Sequence, residues 1–249
     1  MKRAIIFNLL LVMVFSLGAQ NTIDTVLAEI EKNNTTLAAL KKSAEAETLG
    51  NKTGIFVPNP EVEFNYLWGS PGNIGNRTDF SIKQSLDFPT AYRFKNQISD
   101  LKNEQIMLLY RKELYAVRLQ AKLIYFDVVY YNALIAELTK RVTYARQIAQ
   151  SYKSKFDVGE TNILEYNKAQ LNLLNASKTL ESTEVERSAR LAELTLLNGG
   201  ILLEITESEF QQVVLPAGFD QWISQAEQQN PMLAWINSEI EISRKQEEL

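Results

Sequence analysis

The sequence contains no cysteine and no histidine. The first absence excludes disulfides, thiolate metal sites, a catalytic thiol and the acylated cysteine of a lipoprotein signal. The second removes the usual zinc sites, Ser-His-Asp triads and imidazole acid–base chemistry. Enzymatic readings therefore have little to stand on, and no cofactor or metal is expected. An excess of positive charge is also missing. Lys and Arg together number 26 against 30 Asp and Glu, a formal net charge of −4. No basic stripe tracks a phosphate backbone, so nucleic acid is not an expected partner. Ten glycines and six prolines are few and clustered, which favours long helices punctuated by short loops. Beyond the N-terminal segment no apolar run is long enough to cross a bilayer as a helix. Membrane contact by the mature chain must therefore use strands or surfaces.

What is present begins with Met1-Lys2-Arg3, an apolar run from Ala4 to Leu17, and then Gly18-Ala19-Gln20. These are the basic, hydrophobic and small-residue regions of a signal peptide. The run falls short of the about 20 residues that an uncleaved anchor needs. Residues 1–19 are expected to be removed on export, and the loss of Lys2 and Arg3 takes the formal charge from −4 to −6.

From Ile23 to about Lys52 the apolar residues Ile23, Leu27, Ile30, Leu37, Leu40 and Ala44 fall near helical spacing, with Asn21 or Thr22 available as a cap. The helix breaks at Gly54, and Pro58-Asn59-Pro60 opens an extended segment. The period then switches to two. Val62, Phe64, Tyr66 and Trp68 alternate with Glu61, Glu63 and Asn65, a turn-rich stretch follows over Gly69 to Arg77, and Phe80, Ile82, Leu86 and Phe88 alternate with Asp79, Ser81, Lys83, Ser85 and Asp87. Residues 61–88 are thus expected to form an amphipathic hairpin. Strands of about 9 to 11 residues suit a tilted crossing of a hydrocarbon layer, with aromatics at its edges. The carboxylates of Glu61 and Glu63 sit on the polar face, where lining a wet lumen accounts for them without hydrolytic chemistry.

Between Ala91 and Gly159 there is no glycine or proline. Apolar residues recur there at alternating steps of three and four: Met107, Tyr110, Leu114, Val117, Ala121, Ile124, Val128, Tyr131, Ile135, Leu138, Val142, Ala145, Ala149, Tyr152 and Phe156. The pattern predicts a helix over 91–156 with about seven heptads of coiled-coil seam, the seam tyrosines serving as core. A second stripe, Leu119, Leu123, Phe126, Tyr130 and Ala133, calls for neighbours on another face. A tip turn over 157–162 separates this helix from one over 163–197, which Asn162 and Glu165 start and Asn198-Gly199-Gly200 stop. At 1.5 Å per residue the long helix spans about 100 Å and its two neighbours about 45 and about 52 Å, so stacking them end to end would cover it.

Placing Ile23 over Phe219 aligns Asp24 with Asp220, Glu31 with Glu227, Asn34 with Asn230, Leu37 with Leu233, Ala38 with Ala234 and Glu45 with Glu241. A repeat is read from this register, with 20–198 as the first copy, 199–218 as an equatorial linker and 219–249 as the start of a second, truncated copy. The chain is expected to be a fragment that lacks a second hairpin and a second long helix.

The order of these features resembles the outer-membrane efflux protein family typified by TolC. The likeness rests on an Asn-Pro before the hairpin (Asn59-Pro60), a Gln-x-Leu-x-x-Pro exit (Gln84, Leu86, Pro89), a very long helix, a Val-Gly-x-Thr turn (Val158, Gly159, Thr161) and a repeat carrying Asn230-Pro231. The resemblance implies a mainly α fold with a β-hairpin, in which long coiled-coil helices form an α-barrel wall and two strands enter a trimeric outer-membrane β-barrel. Val62, Phe64, Tyr66, Trp68, Phe80, Ile82, Leu86 and Phe88 would face outer-membrane lipid. Val158, Gly159 and Thr161 would dock a periplasmic adaptor, itself bound to an inner-membrane pump. The implied role is a homotrimeric, passive exit conduit with helices reaching into the periplasm. Within transport the alternative is an exit duct for type I protein secretion. Outside it, the alternative is a periplasmic coiled-coil adaptor or scaffold, which should instead carry glycine-rich β halves around its helices.

Overall fold

A computed structural model of the chain describes residues 23–69, 75–210 and 218–249. The expected signal peptide, the possible caps Asn21 and Thr22, the hairpin loop 70–74 and linker residues 211–217 lie outside the described residues. Among the described residues there are six helices and two strands. In chain order they are α1 (Ile23–Asn33), α2 (Thr35–Gly50), β1 (Glu61–Leu67), β2 (Arg77–Lys83), α3 (Pro89–Asp157), α4 (Ile163–Leu197), α5 (Phe219–Gln229) and α6 (Pro231–Glu247). The chain divides into two units. One combines residues up to Ala38 with Leu114–Leu215, and the other combines Ala39–Glu113 with Pro216–Leu249.

The core of the first unit is built on the middle of α3. Ala121, Ile124, Tyr125, Val128 and Val129 pack with Val26, Leu27 and Ile30 of α1, Leu194 of α4, and Leu203 and Ile205 of the extended segment after α4. Each fully buried Leu, Ile or Val of such a set stabilises by about 1.5–3 kcal/mol. Further along α3 the buried positions are Leu138, Val142, Ala145 and Ala149, all on the expected seam. α1 and the last turns of α4 meet the same stretch of α3, so the two segments overlap side by side there. Polar contacts hold that overlap: Asn33 Nδ2 donates to Asn198 Oδ1 at 3.0 Å, and Asn34 Nδ2 donates to the Leu197 carbonyl at 2.9 Å.

Asn34 also divides what the apolar spacing predicts as one helix. Its side-chain oxygen accepts from Leu37 N–H at 2.9 Å, so it caps α2 while its amide group caps the end of α4. α4 itself ends in a paired turn. Gly199 N–H donates to Leu196 O at 3.1 Å and Gly200 N–H to Thr195 O at 2.9 Å, with Gly199 at φ +66°, the Schellman arrangement. A Cβ on Gly199 would lie 2.4 Å from the Asn33 carbonyl oxygen, so this glycine is required by space as well as by φ. The segment that follows is pinned by Asn132, whose Nδ2 donates to Ile205 O at 3.1 Å and Glu207 O at 2.7 Å. Arg187 bonds both Asn132 Oδ1 and Ile205 O.

In the second unit the N-terminal part of α3 lies against α2 and α6. Asn51 Nδ2 donates to Asn103 Oδ1 at 2.9 Å, Ser238 Oγ to Leu101 O at 3.3 Å, and Gln105 Nε2 to Glu239 Oε2 at 2.7 Å. The buried apolar residues here are Ala44, Ile98, Leu108 and Ile242. Met107, expected on the seam, is exposed. The reason is that α6 covers the face carrying Leu101, Gln105 and Leu108, which rotates burial away from the seam at this end. α5 and α6 are separated at Asn230, the residue aligned with Asn34. Its side chain accepts from Met232 N–H at 2.9 Å, and Pro231 occupies the first turn, where its missing N–H costs no bond. Val26, Leu27 and Leu37 are buried while the aligned Trp222, Ile223 and Leu233 are exposed.

Leu194 is 0% and Leu196 76% exposed. Leu194→Ala is expected to destabilise the first unit by about 2–5 kcal/mol in urea unfolding followed by circular dichroism, and Leu196→Ala by about 0.5 kcal/mol or less. Burial, and secondly the charge of Glu207, push the Tyr125 phenol above its ordinary value. A group bound more tightly to its proton in the folded state stabilises fully below its unfolded value and loses that contribution as pH rises through the raised one. Stability should therefore fall on the alkaline side of the ordinary phenol range, and Tyr125→Phe should flatten that limb of a pH–stability curve.

Candidate membrane and docking surfaces

The antiparallel register of the hairpin pairs Val62 with Ile82, Phe64 with Phe80 and Tyr66 with Thr78, and pairs Glu61 with Lys83, Glu63 with Ser81 and Asn65 with Asp79. Directly paired residues share a face of a sheet. One face is therefore apolar and aromatic throughout its paired length apart from Thr78, and the other carries opposite charges at its base and is polar up to the Leu67–Arg77 pair nearest the loop. Val62, Phe64, Tyr66, Phe80 and Ile82 are all exposed in the isolated chain, so no soluble core covers this face among the described residues.

Each strand has seven residues, fewer than the alternation predicts. Pro58 and Pro60 explain the base, because the ladder beyond Glu61 and Lys83 would need N–H groups that these residues lack. Leu86 and Phe88 consequently lie past the end of β2, although both remain exposed. Trp68 lies one residue past β1 and meets Tyr66 edge to face, centroids 4.7 Å apart. Asn76, which alternation alone did not single out, latches the loop end: it accepts from Gly69 N–H at 3.1 Å and donates to Tyr66 Oη at 2.7 Å. At the base Gln84 Nε2 donates to Pro58 O at 2.7 Å. Lys95 Nζ meets Asp87 Oδ2 at 2.6 Å, and that hydrogen bond holds the ammonium above its usual range.

The tip turn is a second Schellman ending. Gly159 N–H donates to Phe156 O at 3.0 Å and Glu160 N–H to Lys155 O at 2.8 Å, with Gly159 at φ +77°. Nothing lies within 4 Å of where its Cβ would be, so here the glycine answers to φ alone. Asn162 Oδ1 then accepts from Glu165 N–H at 2.9 Å and starts α4. Across the turn the Phe156 and Tyr166 rings stack at 5.5 Å and 9°. Asp157 is tied to Lys153 at 2.9 Å, and this contact raises the Lys153 ammonium above its ordinary range. Val158 is left 71% exposed and Thr161 is half-buried. Ile163 and Leu164, also exposed, add apolar surface at the start of α4. The sequence signal for them was two apolar residues off the buried face of a helix's first turn. Among the described residues no group of side chains could hold a metal ion, and no helix is long and apolar enough to cross a membrane.

No family model and no curated protein matches the chain. Solved structures do. The CmeC outer membrane channel of Campylobacter jejuni superposes with a TM-score of 0.58 at 18% identity, over 80% of this chain and 45% of that one. CusC, described in terms of folding and transmembrane channel formation, superposes at 0.67 and 18% over 91% and 57%. The open state of the MtrE outer membrane channel of Neisseria gonorrhoeae superposes at 0.59 and 12% over 90% and 53%. The chain spans about half the length of the structures it matches, and at these identities the likeness is one of fold.

A double-mutant cycle on Phe156→Ala and Tyr166→Ala should return a coupling of about 0.5–1.5 kcal/mol, the worth of a stacked pair beyond its buried area. Gly159→Ala should cost about 1–2 kcal/mol through the left-handed backbone alone, measured by urea unfolding.

Proposed function

We propose that this chain, which has the fold of the TolC-like outer-membrane channels over about half their length, is part of the outer-membrane component of a tripartite efflux system. In this reading the signal peptide is removed on export and three copies of the full protein close one barrel. Val62, Phe64, Tyr66, Trp68, Phe80, Ile82, Leu86 and Phe88 face lipid. The observation that carries the reading is the register, which gathers the apolar side chains of both strands, Leu67 apart, on a single exposed face of a hairpin too small to be stable alone. Closure into a barrel satisfies the unpaired outer edges of β1 and β2, which lipid would otherwise leave without hydrogen bonds. The opposite face, from Glu61 and Lys83 to Asn65 and Asp79, lines the wet lumen. The exposed stripe Leu119, Leu123, Phe126 and Tyr130 on α3 is covered by neighbouring wall helices.

A conduit of this kind does no chemistry of its own. It lowers the barrier to solute passage by offering a hydrated path, and the energy comes from an inner-membrane pump through a periplasmic adaptor. Val158, Gly159 and Thr161 form the adaptor's docking turn, supported by the rigid capping on both sides and by the exposure of Val158. A loop that is well ordered yet exposed is suited to making specific contacts.

Phe64→Arg in the full-length protein places a charge on the lipid face, at a cost of about 2–4 kcal/mol near the bilayer centre. The expected outcome is loss of trimer and of outer-membrane recovery on density-gradient fractionation, whereas Glu63→Gln on the lumen face leaves both intact. Recovery of Phe64→Arg in the outer membrane at wild-type levels would overturn the lipid-facing assignment. Val158→Asp should leave trimer and localisation unchanged while abolishing adaptor cross-linking at the tip.

A further inference from the structure

Where α4 ends against α1 the chain carries Asn198-Gly199, the only Asn-Gly pair in the sequence. An asparagine is most easily lost when glycine follows it. The backbone nitrogen of the next residue attacks the side-chain carboxamide carbon, and glycine, with no Cβ and wide backbone freedom, hinders that approach least. The fold nevertheless requires both residues. Gly199 sits at φ +66°, and a Cβ there would run into the Asn33 carbonyl oxygen. Asn198 is fully buried and uses both ends of its carboxamide: Oδ1 accepts from Asn33 Nδ2 at 3.0 Å, and Nδ2 donates to Ile201 O at 2.9 Å. An aspartate has no donor for the second of these bonds.

The packing that demands the pair also shields it. Attack needs a free Gly199 nitrogen and a carboxamide able to swing onto it. In the folded chain Gly199 N–H donates to Leu196 O at 3.1 Å, and the carboxamide is fixed at both ends. Asn34 Nδ2, bonded to the Leu197 carbonyl at 2.9 Å, holds the end of α1 to the end of α4 beside it. All of these residues belong to the first unit. The bonds from Asn33 and Asn34 are lost when the end of α1 leaves α4, and Asn198 is then free to turn.

We propose that Asn198 is a conditional modification site, intact while the end of α1 is docked on the end of α4 and converted in chains whose junction has opened. The Gly199 nitrogen, giving its proton to a solvent base, forms a bond to Asn198 Cγ, and the Cγ–Nδ2 bond breaks with release of ammonia. The resulting succinimide takes up water at either carbonyl, leaving aspartate or isoaspartate. Neither product rebuilds the junction. Aspartate sets an acceptor against the Ile201 carbonyl and a charge where nothing is exposed. Isoaspartate adds a carbon to the backbone of the turn that Gly199 and Gly200 close. A chain that stays open is thereby barred from docking α1. The inference stands on this junction alone and does not depend on the efflux reading.

The test incubates the full-length protein in mildly alkaline buffer, folded in detergent and unfolded in urea, and follows residue 198 by peptide mass spectrometry that resolves the amide, the acid and the isoaspartyl isomer. Conversion in the folded protein should be slower than in urea by about a hundredfold or more, because it passes through a local opening of low population. Asn33→Ala should speed conversion in the folded protein by about tenfold, the change in open population that losing one buried hydrogen bond gives. Asn172→Ala, on the surface of α4, should leave the rate unchanged. Circular dichroism and trimer content check that both variants are folded. Asn198→Asp should lower the urea midpoint of the protein. Equal rates in the folded and urea-unfolded chain, an Asn33→Ala rate equal to the unaltered one, or an unchanged urea midpoint for Asn198→Asp would each overturn the proposal. The comparison of folded with urea-unfolded protein uses the unaltered chain, so it decides the question even where a variant does not fold.

Discussion

The seam of α3 is the constraint on which the rest of the chain depends. A helix of 69 residues with apolar groups along its length cannot leave them in water, and helices in proteins gain most of their stability from packing of that face. Each unit is accordingly built on its own portion of α3. In the first, α1, the end of α4 and the segment carrying Leu203 and Ile205 converge on Ala121 to Val129. In the second, α2 and α6 converge on Ile98 to Leu108. What remains uncovered is as informative as what is covered. Leu119, Leu123, Phe126 and Tyr130 stay exposed, an apolar stripe too regular for a free surface.

The places where the helices stop are each set by a few residues. Pro58, Pro60 and Pro89 bound the hairpin. Gly159 and Gly199 end α3 and α4 in the same hydrogen-bonded turn but for different reasons. At Gly159 the backbone angle alone demands glycine and the surroundings are open. At Gly199 the Asn33 carbonyl fills the space, as a packed junction requires. Asn34 and Asn230 show a third kind of stop, a side chain that replaces the lost backbone bond of one helix and starts the next. In Asn34 the same amide also closes the end of α4, so one residue couples the break in the first helical segment to the position of the other.

Much of this was legible from the residues. The alternation over 61–68 and 79–88, of which the strands keep 61–67 and 79–83, and the steps of three and four along α3 are direct consequences of side-chain geometry, and the burial of Ala121, Ile124, Val128, Leu138, Val142, Ala145 and Ala149 follows those steps. The capping role of Asn162 and the stop at Asn198-Gly199 were legible for the same reason, since both rest on bonds within a few residues. The strand ends were not. Leu86 and Phe88 continue the alternation, yet the ladder stops at Lys83 because its partner strand meets Pro60 and Pro58, which have no backbone N–H to donate. Exposed Met107 and buried Leu108 were not legible either, because the face that α6 covers belongs to another segment of the chain.

The sequence by itself determined the fold class, the long helix, the hairpin with one apolar face and the absence of histidine and cysteine chemistry. These depend on local period and composition, which every residue carries with it. Only the tertiary structure decided that α1 and α4 overlap side by side and that Asn34 divides the first helical segment. Those facts depend on which side chains meet across long separations, and a hydrogen bond such as Asn34 to Leu197, far apart in the chain, has no periodic signature to announce it.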